Sequence, residues 1–155
     1  MQRKISGPGK IESASPDDLE SLLEIEQESS PNPWKRSFFE SEFSGKLSTI
    51  LVSRSNPDGK ADGFIVFRTI DDMAEINNIA VRINRRRSGI AAGLISSLID
   101  ISVKNGVSVI FLEVRSENYS AIKLYERSGF ELSGKRKDYY NSPKDDALIY
   151  KLELD

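Results

Sequence analysis

The feature that most limits what this chain can fold into is a loop rich in arginine and glycine between a strand-like and a helix-like segment. Residues 85–93 read Arg-Arg-Arg-Ser-Gly-Ile-Ala-Ala-Gly, and the apolar, β-prone run 76–81 precedes them. After the loop, helical spacing is kept by Ile90, Leu94, Ile95, Leu98 and Ile99. A loop that opens a helix presents unpaired backbone N–H groups beside the positive end of the helix dipole. The sequence therefore predicts an anion site here, for which a pyrophosphate is a natural occupant.

This loop differs from the two commonest phosphate-binding motifs. A P-loop needs a lysine after its second glycine, and the dinucleotide fingerprint needs Gly-x-Gly-x-x-Gly; residues 85–93 meet neither requirement. Taken alone, an arginine-rich turn at the start of an amphipathic helix is more often a solvated loop. The remaining segments of the chain therefore have to decide between the two interpretations.

Composition narrows the chemistry that is available. The 155 residues are enough for one domain, and 30% charged with 38% hydrophobic residues indicates a soluble globular protein. The chain has no Cys and no His, which excludes disulfides, a thiolate nucleophile, a Cys/His zinc site and a Ser-His-Asp triad. Acid–base work must then fall to Glu, Asp, Tyr, Lys, water or the backbone, and no metal is expected.

Charge is distributed unevenly along the chain. Nine acidic side chains lie between Glu12 and Glu42, whereas Arg82 with Arg85–Arg87 and then Lys135–Lys137 form two basic clusters. Both can be solvated charge runs; the sharper interpretation is an anionic ligand near the first basic cluster and a cationic substrate near the acidic half. The pI near 5.4 disfavours a nucleic-acid partner. No membrane partner is expected, because no apolar run reaches the roughly 20 residues of a span.

The pattern of the chain predicts the element order β α α β β β α β α β β, a mixed α/β fold with helices interleaved into a mostly antiparallel sheet. The first helix is expected from Ser15, with Asp18 completing a capping box. A second short helix should place Trp34, Phe38, Phe39 and Phe43 on one face, and residues 56–59 should form a hairpin turn. Residues 107–114 read as a central strand buried on both faces.

Several segments, taken in order, resemble one known family, the GCN5-related N-acetyltransferases. Arg86-Arg87-Ser88-Gly89-Ile90-Ala91 fits that family's Gln/Arg-x-x-Gly-x-Gly/Ala acetyl-CoA loop, although Ala91 replaces the usual second glycine and Arg86 stands where Gln is common. The other matching segments are residues 78–81, 112–115, 118–121, 124–130, 136–140 and 145–148. Within the family the chain is most similar to the ribosomal-protein-alanine N-acetyltransferases and their archaeal protein N-terminal relatives, and Pro33-Trp34 with Phe38 matches that group's segment after the first helix.

The resemblance implies the fold and the co-substrate. One N-acetyltransferase domain is expected over residues 9–155, after a flexible lead-in at 1–8 that has no secretory apolar segment, which makes the cytoplasm the default location. A V-shaped opening should separate the strands ending at Val81 and Val114. Acetyl-CoA would bind there, and the residues implied in its binding are Ile79, Ala80, Val81, Arg86, Arg87, Ser88, Gly89, Ile90, Ala91, Ala92 and Asn118. Without such contacts, residues 79–81 are simply a core strand and Asn118 simply caps its helix.

Two residues are expected to carry the chemistry. Glu113 is the only charge in an apolar strand and matches the family's proton acceptor; otherwise it is a strand-end residue that pairs with Arg115 or a helix. Glu75 on the preceding strand is the alternative base, or else a solvent-facing residue. Tyr125 matches the family's proton donor, or else packs as a half-buried aromatic.

The substrate expected from the resemblance is a protein or peptide N-terminus. Trp34, Tyr139 and Tyr140 are the implied substrate-binding residues, unless the tyrosines are ordinary strand aromatics. The function predicted is acetylation of a protein α-amine, with a small-molecule amine acetyltransferase or a non-catalytic acetyl-CoA-binding module as alternatives. The sequence leaves open the preferred first residue and any association with the ribosome or an auxiliary subunit.

Overall fold

The computed structural model describes residues 9–56 and 59–155. Within them the elements follow the predicted order: β1 Lys10–Ser13, α1 Leu19–Ser29, α2 Arg36–Ser44, β2 Ser48–Arg54, β3 Gly63–Ile70, β4 Met73–Val81, α3 Ile90–Lys104, β5 Val109–Arg115, α4 Tyr119–Arg127, β6 Glu131–Asn141 and β7 Lys144–Glu153. The predicted lead-in at residues 1–8, and the Pro57 and Asp58 of the predicted turn, lie outside the described residues. None of the helices in the described ranges is long and apolar enough to cross a membrane.

The strands form one sheet in the order β1-β2-β3-β4-β5-β7-β6. Every neighbouring pair is antiparallel except β4 and β5, which are parallel. Their pairing covers only Met73–Ile76 against Val109–Leu112, so the two strands diverge over their last residues. A register shift against β3 leaves Asn77 as an extra residue just past this point, and such a bulge bends its strand. The sheet therefore opens at its centre.

Two apolar clusters cover the two faces of the sheet. Alternate residues of β3 point to opposite sides: Ile65 and Phe67 belong to one cluster, and Phe64 and Val66 to the other. The first cluster includes residues of α3 and α4, and the second includes Leu22, Ile25 and Phe39 from α1 and α2. Each helix pair thus packs on its own face, and both layers meet the central opening.

The start of α1 is fixed by a carboxylate. The backbone N–H of Ser15 donates to Asp18 Oδ2 at 2.9 Å, as the predicted capping box requires. Arg54 of β2 donates to both Asp18 oxygens, each at 3.0 Å. Burial raises the pKa of Asp18, but the hydrogen bonds from Arg54 and Ser15 outweigh burial and lower it. A 3₁₀ turn, Pro16–Asp18, precedes the α-helix, so regular helix begins later than predicted.

Two predictions about burial were wrong in part. Phe39 is fully buried, but Phe38 is 54% exposed, because adjacent residues of a helix point about 100° apart and cannot share a face. Trp34 precedes the helix, which begins at Arg36. In β5, Leu112 and its alternating neighbours are buried, whereas Phe111 and Glu113 are partly exposed. That second face is open because α1 and α2 pack chiefly against β2, β3 and β4.

Candidate active site

A cavity of about 270 Å³ lies where β4 and β5 diverge. The last turn of α1, the connection that follows it, α4 with its cap residue, and the end of β6 complete its wall. Its lining residues are Glu26, Ser29, Ser30, Pro31, Ile76, Asn77, Asn78, Ile79, Ala80, Leu112, Glu113, Val114, Arg115, Asn118, Tyr125 and Tyr140. The predicted V-shaped opening is therefore present, and residues from six parts of the chain converge on it.

The wall contributed by β4 offers a free strand edge. Residues 79–81 pair with β3 on one side, and their pairing with β5 has already ended at Ile76. Ile79 and Ala80 line the cavity, whereas Val81 is buried outside it. An unpaired edge of this kind can take up an extended, amide-containing ligand as an added strand.

The loop between β4 and α3 has the backbone that an anion site needs. Arg87 and Gly89 adopt left-handed φ values of 62° and 78°, and α3 starts at Ile90. The N–H of Gly93 donates to the Gly89 carbonyl at 2.9 Å, so the amides before it belong to the unpaired first turn. A Cβ on Gly63 would lie 2.9 Å from the Ile90 side chain, so this glycine allows α3 to begin close against the sheet. The loop therefore places unpaired backbone N–H groups at the start of a helix, where an anion can bind.

The arginines near this loop have different roles. Arg82 donates to Glu24 at 3.1 Å, and Arg85 lies 3.6 Å from Asp62, so both are held in ion pairs with other elements. Arg87 is exposed. The predicted basic cluster is therefore partly neutralised by acids that are distant in the sequence.

Arg86 ties the loop to α1. Its Nε donates to the Val81 carbonyl and its Nη2 to the Ser29 hydroxyl, both at 3.3 Å. Because Ser29 lines the cavity, this contact joins the loop to the cavity wall. Arg86 is thus placed to fix the shape of the loop.

Glu113 lies in the cavity wall, but it is less buried than predicted, with 26% of its side chain exposed. Its Oε1 lies 3.4 Å from Nε of Arg136 on β6, not beside Arg115 as the alternative interpretation had it. Glu75 is exposed on β4 and does not belong to the cavity lining. Of the two candidate bases, the geometry thus favours Glu113.

Tyr125 faces the cavity from α4 and is only 5% exposed. Its ring packs edge-on against Phe130, with centroids 5.9 Å apart. Burial raises the pKa of Tyr125 to about 12, and nearby Tyr140 adds to the rise. The phenol therefore keeps its proton throughout the physiological pH range. Asn118 both lines the cavity and caps α4, since its Oδ1 accepts from the Ala121 N–H at 3.3 Å.

The predicted substrate residues do not all reach the cavity. Tyr140 lines it, whereas Tyr139 is exposed beside it, with the two rings 5.1 Å apart. Burial raises the pKa of Tyr140, and the Glu113 charge adds to this effect. Trp34 lies outside the lining and packs on Phe39 at 5.2 Å. Trp34 thus shapes the α1–α2 connection rather than the cavity surface.

Glu26 is a cavity residue to which no role was given from the sequence. It is 3% exposed and accepts hydrogen bonds from Asn78 Nδ2 at 3.1 Å and from the Trp34 N–H at 2.8 Å. A signal was available, because Glu26 shares the buried face of α1 with Leu22 and Ile25. An acid on an apolar stripe needs partners, and here they join α1, β4 and the α1–α2 connection.

Known proteins that are similar to this chain are acetyltransferases. The model of the Acetyltransferase (GNAT) family matches residues 19–130. The [ribosomal protein bS18]-alanine N-acetyltransferase of Escherichia coli (strain K12) is 33% identical over 146 residues, covering 93% of this chain and 97% of that protein. The crystal structure of the ribosomal-protein-S18-alanine N-acetyltransferase from Escherichia coli superposes with a TM-score of 0.85, covering 94% and 93% of the two chains at 33% identity. Arabidopsis thaliana NAA60 in complex with acetyl-CoA shares the fold, with a TM-score of 0.82 at 23% identity over 94% and 98% of the chains.

The chain therefore belongs to the Acetyltransferase (GNAT) family. Its fold is the mixed α/β fold of that family, and it is an N-acetyltransferase that uses acetyl-CoA as its acetyl donor. The resemblance drawn from the sequence is confirmed.

Proposed function

We propose that this enzyme acetylates the N-terminal α-amine of a protein, such as a ribosomal protein or a nascent chain. The observation that carries the proposal is that one cavity brings together a carboxylate, a protonated phenol and a free strand edge: Glu113, Tyr125 and the β4 residues Ile79 and Ala80. The relatives named for ribosomal protein bS18 support a protein substrate. Such a substrate would be met in the cytoplasm, and docking on the ribosome would bring it within reach.

The co-substrate would lie along β4 and end at the start of α3. The edge at residues 79–81 would pair with the amide-bearing arm, Asn118 would bond to it, and the loop and first turn of α3 at residues 86–92 would hold the pyrophosphate. When bound, acetyl-CoA supplies an activated thioester and a thiolate leaving group. The chain has no Cys, so an acyl-cysteine intermediate is excluded and the amine attacks directly.

Proton transfer would use both wall residues. An α-amine has a pKa of about 8 and is mostly protonated at neutral pH, so a base must take a proton before or during attack. Glu113 would accept that proton, directly or through one water molecule. As the N–C bond forms and the C–S bond breaks, Tyr125 would give its proton to the departing sulfur and recover one from water. A backbone N–H near residues 79–81 would stabilise the oxyanion.

Tyr140 and the α1–α2 connection would receive the first residues of the substrate. Tyr140 and Pro31 line the cavity, and the exposed Tyr139 ring lies 5.1 Å from that of Tyr140. Trp34 would act by holding the connection in place through Phe39 and Glu26. The acidic wall formed by Glu26 and Glu113 suits an incoming ammonium group.

The test is acetyl transfer to short peptides that differ at residue one. The kcat/KM for peptides with a free α-amine should be about tenfold or more above that for the same peptides with a blocked N-terminus and an internal lysine. This ratio corresponds to roughly 1.4 kcal/mol of transition-state free energy. Free lysine and polyamines serve as controls. Faster reaction of these amines would instead identify a small-molecule acetyltransferase, and binding of acetyl-CoA without turnover of any amine would identify a binding module.

A further inference from the structure

We infer that Arg115 is a positioning residue that holds the tip of the β6–β7 hairpin over the cavity and thereby favours a chain terminus over a lysine side chain. The inference rests on the proposed function and adds the residue that controls access to the same site. Arg115 is the last residue of β5 and lines the cavity next to Glu113 on the same strand.

The Arg115 guanidinium makes three contacts with the hairpin. Its Nη1 donates to the Pro143 carbonyl at 2.6 Å, and its Nη2 donates to the Ser142 carbonyl at 3.3 Å. Its Cζ lies 4.1 Å from the centroid of the Tyr140 ring. A planar fork satisfies two carbonyls and stacks on an aromatic ring at once, which a lysine ammonium cannot do.

The hairpin needs such an anchor because its own packing is weak. Most of β6 is exposed, and its ladder with β7 is irregular between Arg136 and Tyr140. Arg115, in contrast, is fixed by regular pairing with Ala147, which is fully buried. The side chain therefore reaches from a rigid base to a segment with few apolar contacts, and polar contacts decide where that segment lies.

The Ser142 carbonyl joins the two sides of the cavity mouth. Ser142 also accepts from Asn32 Nδ2 of the α1–α2 connection, next to cavity residue Pro31. Arg115 and Asn32 thus hold a bridge across the opening. A terminal amine arrives with chain on one side only and fits beneath a bridge. The ε-amine of an internal lysine brings chain in both directions, so the bridge obstructs it.

The experiment compares Arg115→Lys, Arg115→Gln and Asn32→Ala, with Arg127→Lys on the exposed face of α4 as the matched control. Both Arg115 variants should raise KM for a peptide and lower the ratio of α-amine to ε-amine acetylation by about tenfold, the fold-change expected when one charge-assisted hydrogen bond is lost. Asn32→Ala should shift the ratio in the same direction. Acetyl-CoA affinity and kcat should stay near the original values, and Arg127→Lys should change nothing.

Rescue by lysine separates positioning from simple charge. If Arg115→Lys keeps the original KM and selectivity ratio, the fork geometry is irrelevant and the inference is overturned. Melting temperatures show whether each variant folds. If the Arg115 variants do not fold, Asn32→Ala still tests the bridge: an unchanged ratio of α-amine to ε-amine acetylation in that variant overturns the inference. An original enzyme that prefers ε-amines would instead overturn the proposed function.

Discussion

At the scale of single residues, the two proposed catalytic groups owe their roles to different surroundings. Tyr125 of α4 is buried against Phe130 at the cavity wall, and this burial raises the pKa of its phenol, which therefore stays protonated. Glu113, in contrast, is 26% exposed and lies 3.4 Å from Nε of Arg136, so water can reach its carboxylate from outside the cavity. One cavity thus holds an enclosed phenol and a solvent-accessible carboxylate, and such a contrast in surroundings suits two groups for different proton-transfer roles.

Replacing Glu113 with Gln should lower kcat by about 10²-fold, because the amide cannot accept the amine proton. KM for acetyl-CoA should change little, since the loop and strand edge proposed to hold it are untouched. Steady-state kinetics on a peptide substrate measure both effects. Glu75→Gln on exposed β4 is the matched control. If Glu75→Gln loses its activity while Glu113→Gln remains active, the base that accepts the amine proton is Glu75 on β4.

Replacing Tyr125 with Phe should lower kcat by less than the Glu113 change, because water can still protonate the thiolate. The intact enzyme should show a particular pH profile. Since the pKa of Tyr125 is raised to about 12, the proton is retained below that value and lost only above it. The rate should therefore not fall between pH 8 and about 10, where an ordinary tyrosine begins to ionise. A decline there that is absent from Tyr125→Phe would show that the phenol is less shielded than this.

At the scale of elements, the loop before α3 combines a bent backbone with an unpaired helix start. Its two left-handed residues, Arg87 and Gly89, turn the chain so that α3 begins directly behind the β4 edge. The sequence pattern was enough to predict this unit, because strand, glycine turn and helix are all encoded locally. The same holds for Asn118 as the cap of α4.

Gly89→Asp should weaken acetyl-CoA binding by more than about tenfold, because a carboxylate at the helix start opposes the pyrophosphate. Gly89→Asn is the matched control, since Asn has nearly the same size and tolerates left-handed φ to a similar degree. The difference between the two variants isolates the charge from the backbone strain at φ 78°. Calorimetric titration of both folded proteins gives the affinities. Equal affinities would place the pyrophosphate elsewhere.

At the scale of the whole molecule, long-range contacts are what the sequence could not supply. The pairing of Glu113 with Arg136, and of Glu26 with Asn78, depends on the register of distant strands and on the bulge at Asn77. No local pattern encodes them. Element order, by contrast, follows from periodicity and turn residues, while the one-sided exposure of β5 reflects where α1 and α2 pack. The general location of the site was therefore predictable, and its electrostatic partners were not.

Within the described residues, the sheet has two halves, β1–β4 and β5–β7–β6, and the strand pairing between them is the short ladder of β4 with β5. A ligand lying in the opening would contact both halves. Because it would bind the folded state and not the unfolded state, it should raise the free energy of unfolding of the whole molecule. At a hundredfold excess over Kd, acetyl-CoA should add about 2.7 kcal/mol to the free energy of unfolding. For a domain of this size that raises Tm by roughly 5–10 °C.

Thermal denaturation with and without acetyl-CoA measures this shift independently of catalysis. Coenzyme A should give a comparable shift because it keeps the pyrophosphate and the amide-bearing arm, whereas acetate should give none. Gly89→Asp should lose most of the shift and Glu113→Gln should keep it, since only the former disturbs the proposed pyrophosphate site. Hydrogen exchange should slow at residues 79–81 on ligand binding, as expected for amides along an edge that gains a strand. A Tm that stays constant at saturating acetyl-CoA would mean that the opening between β4 and β5 is not where the ligand binds.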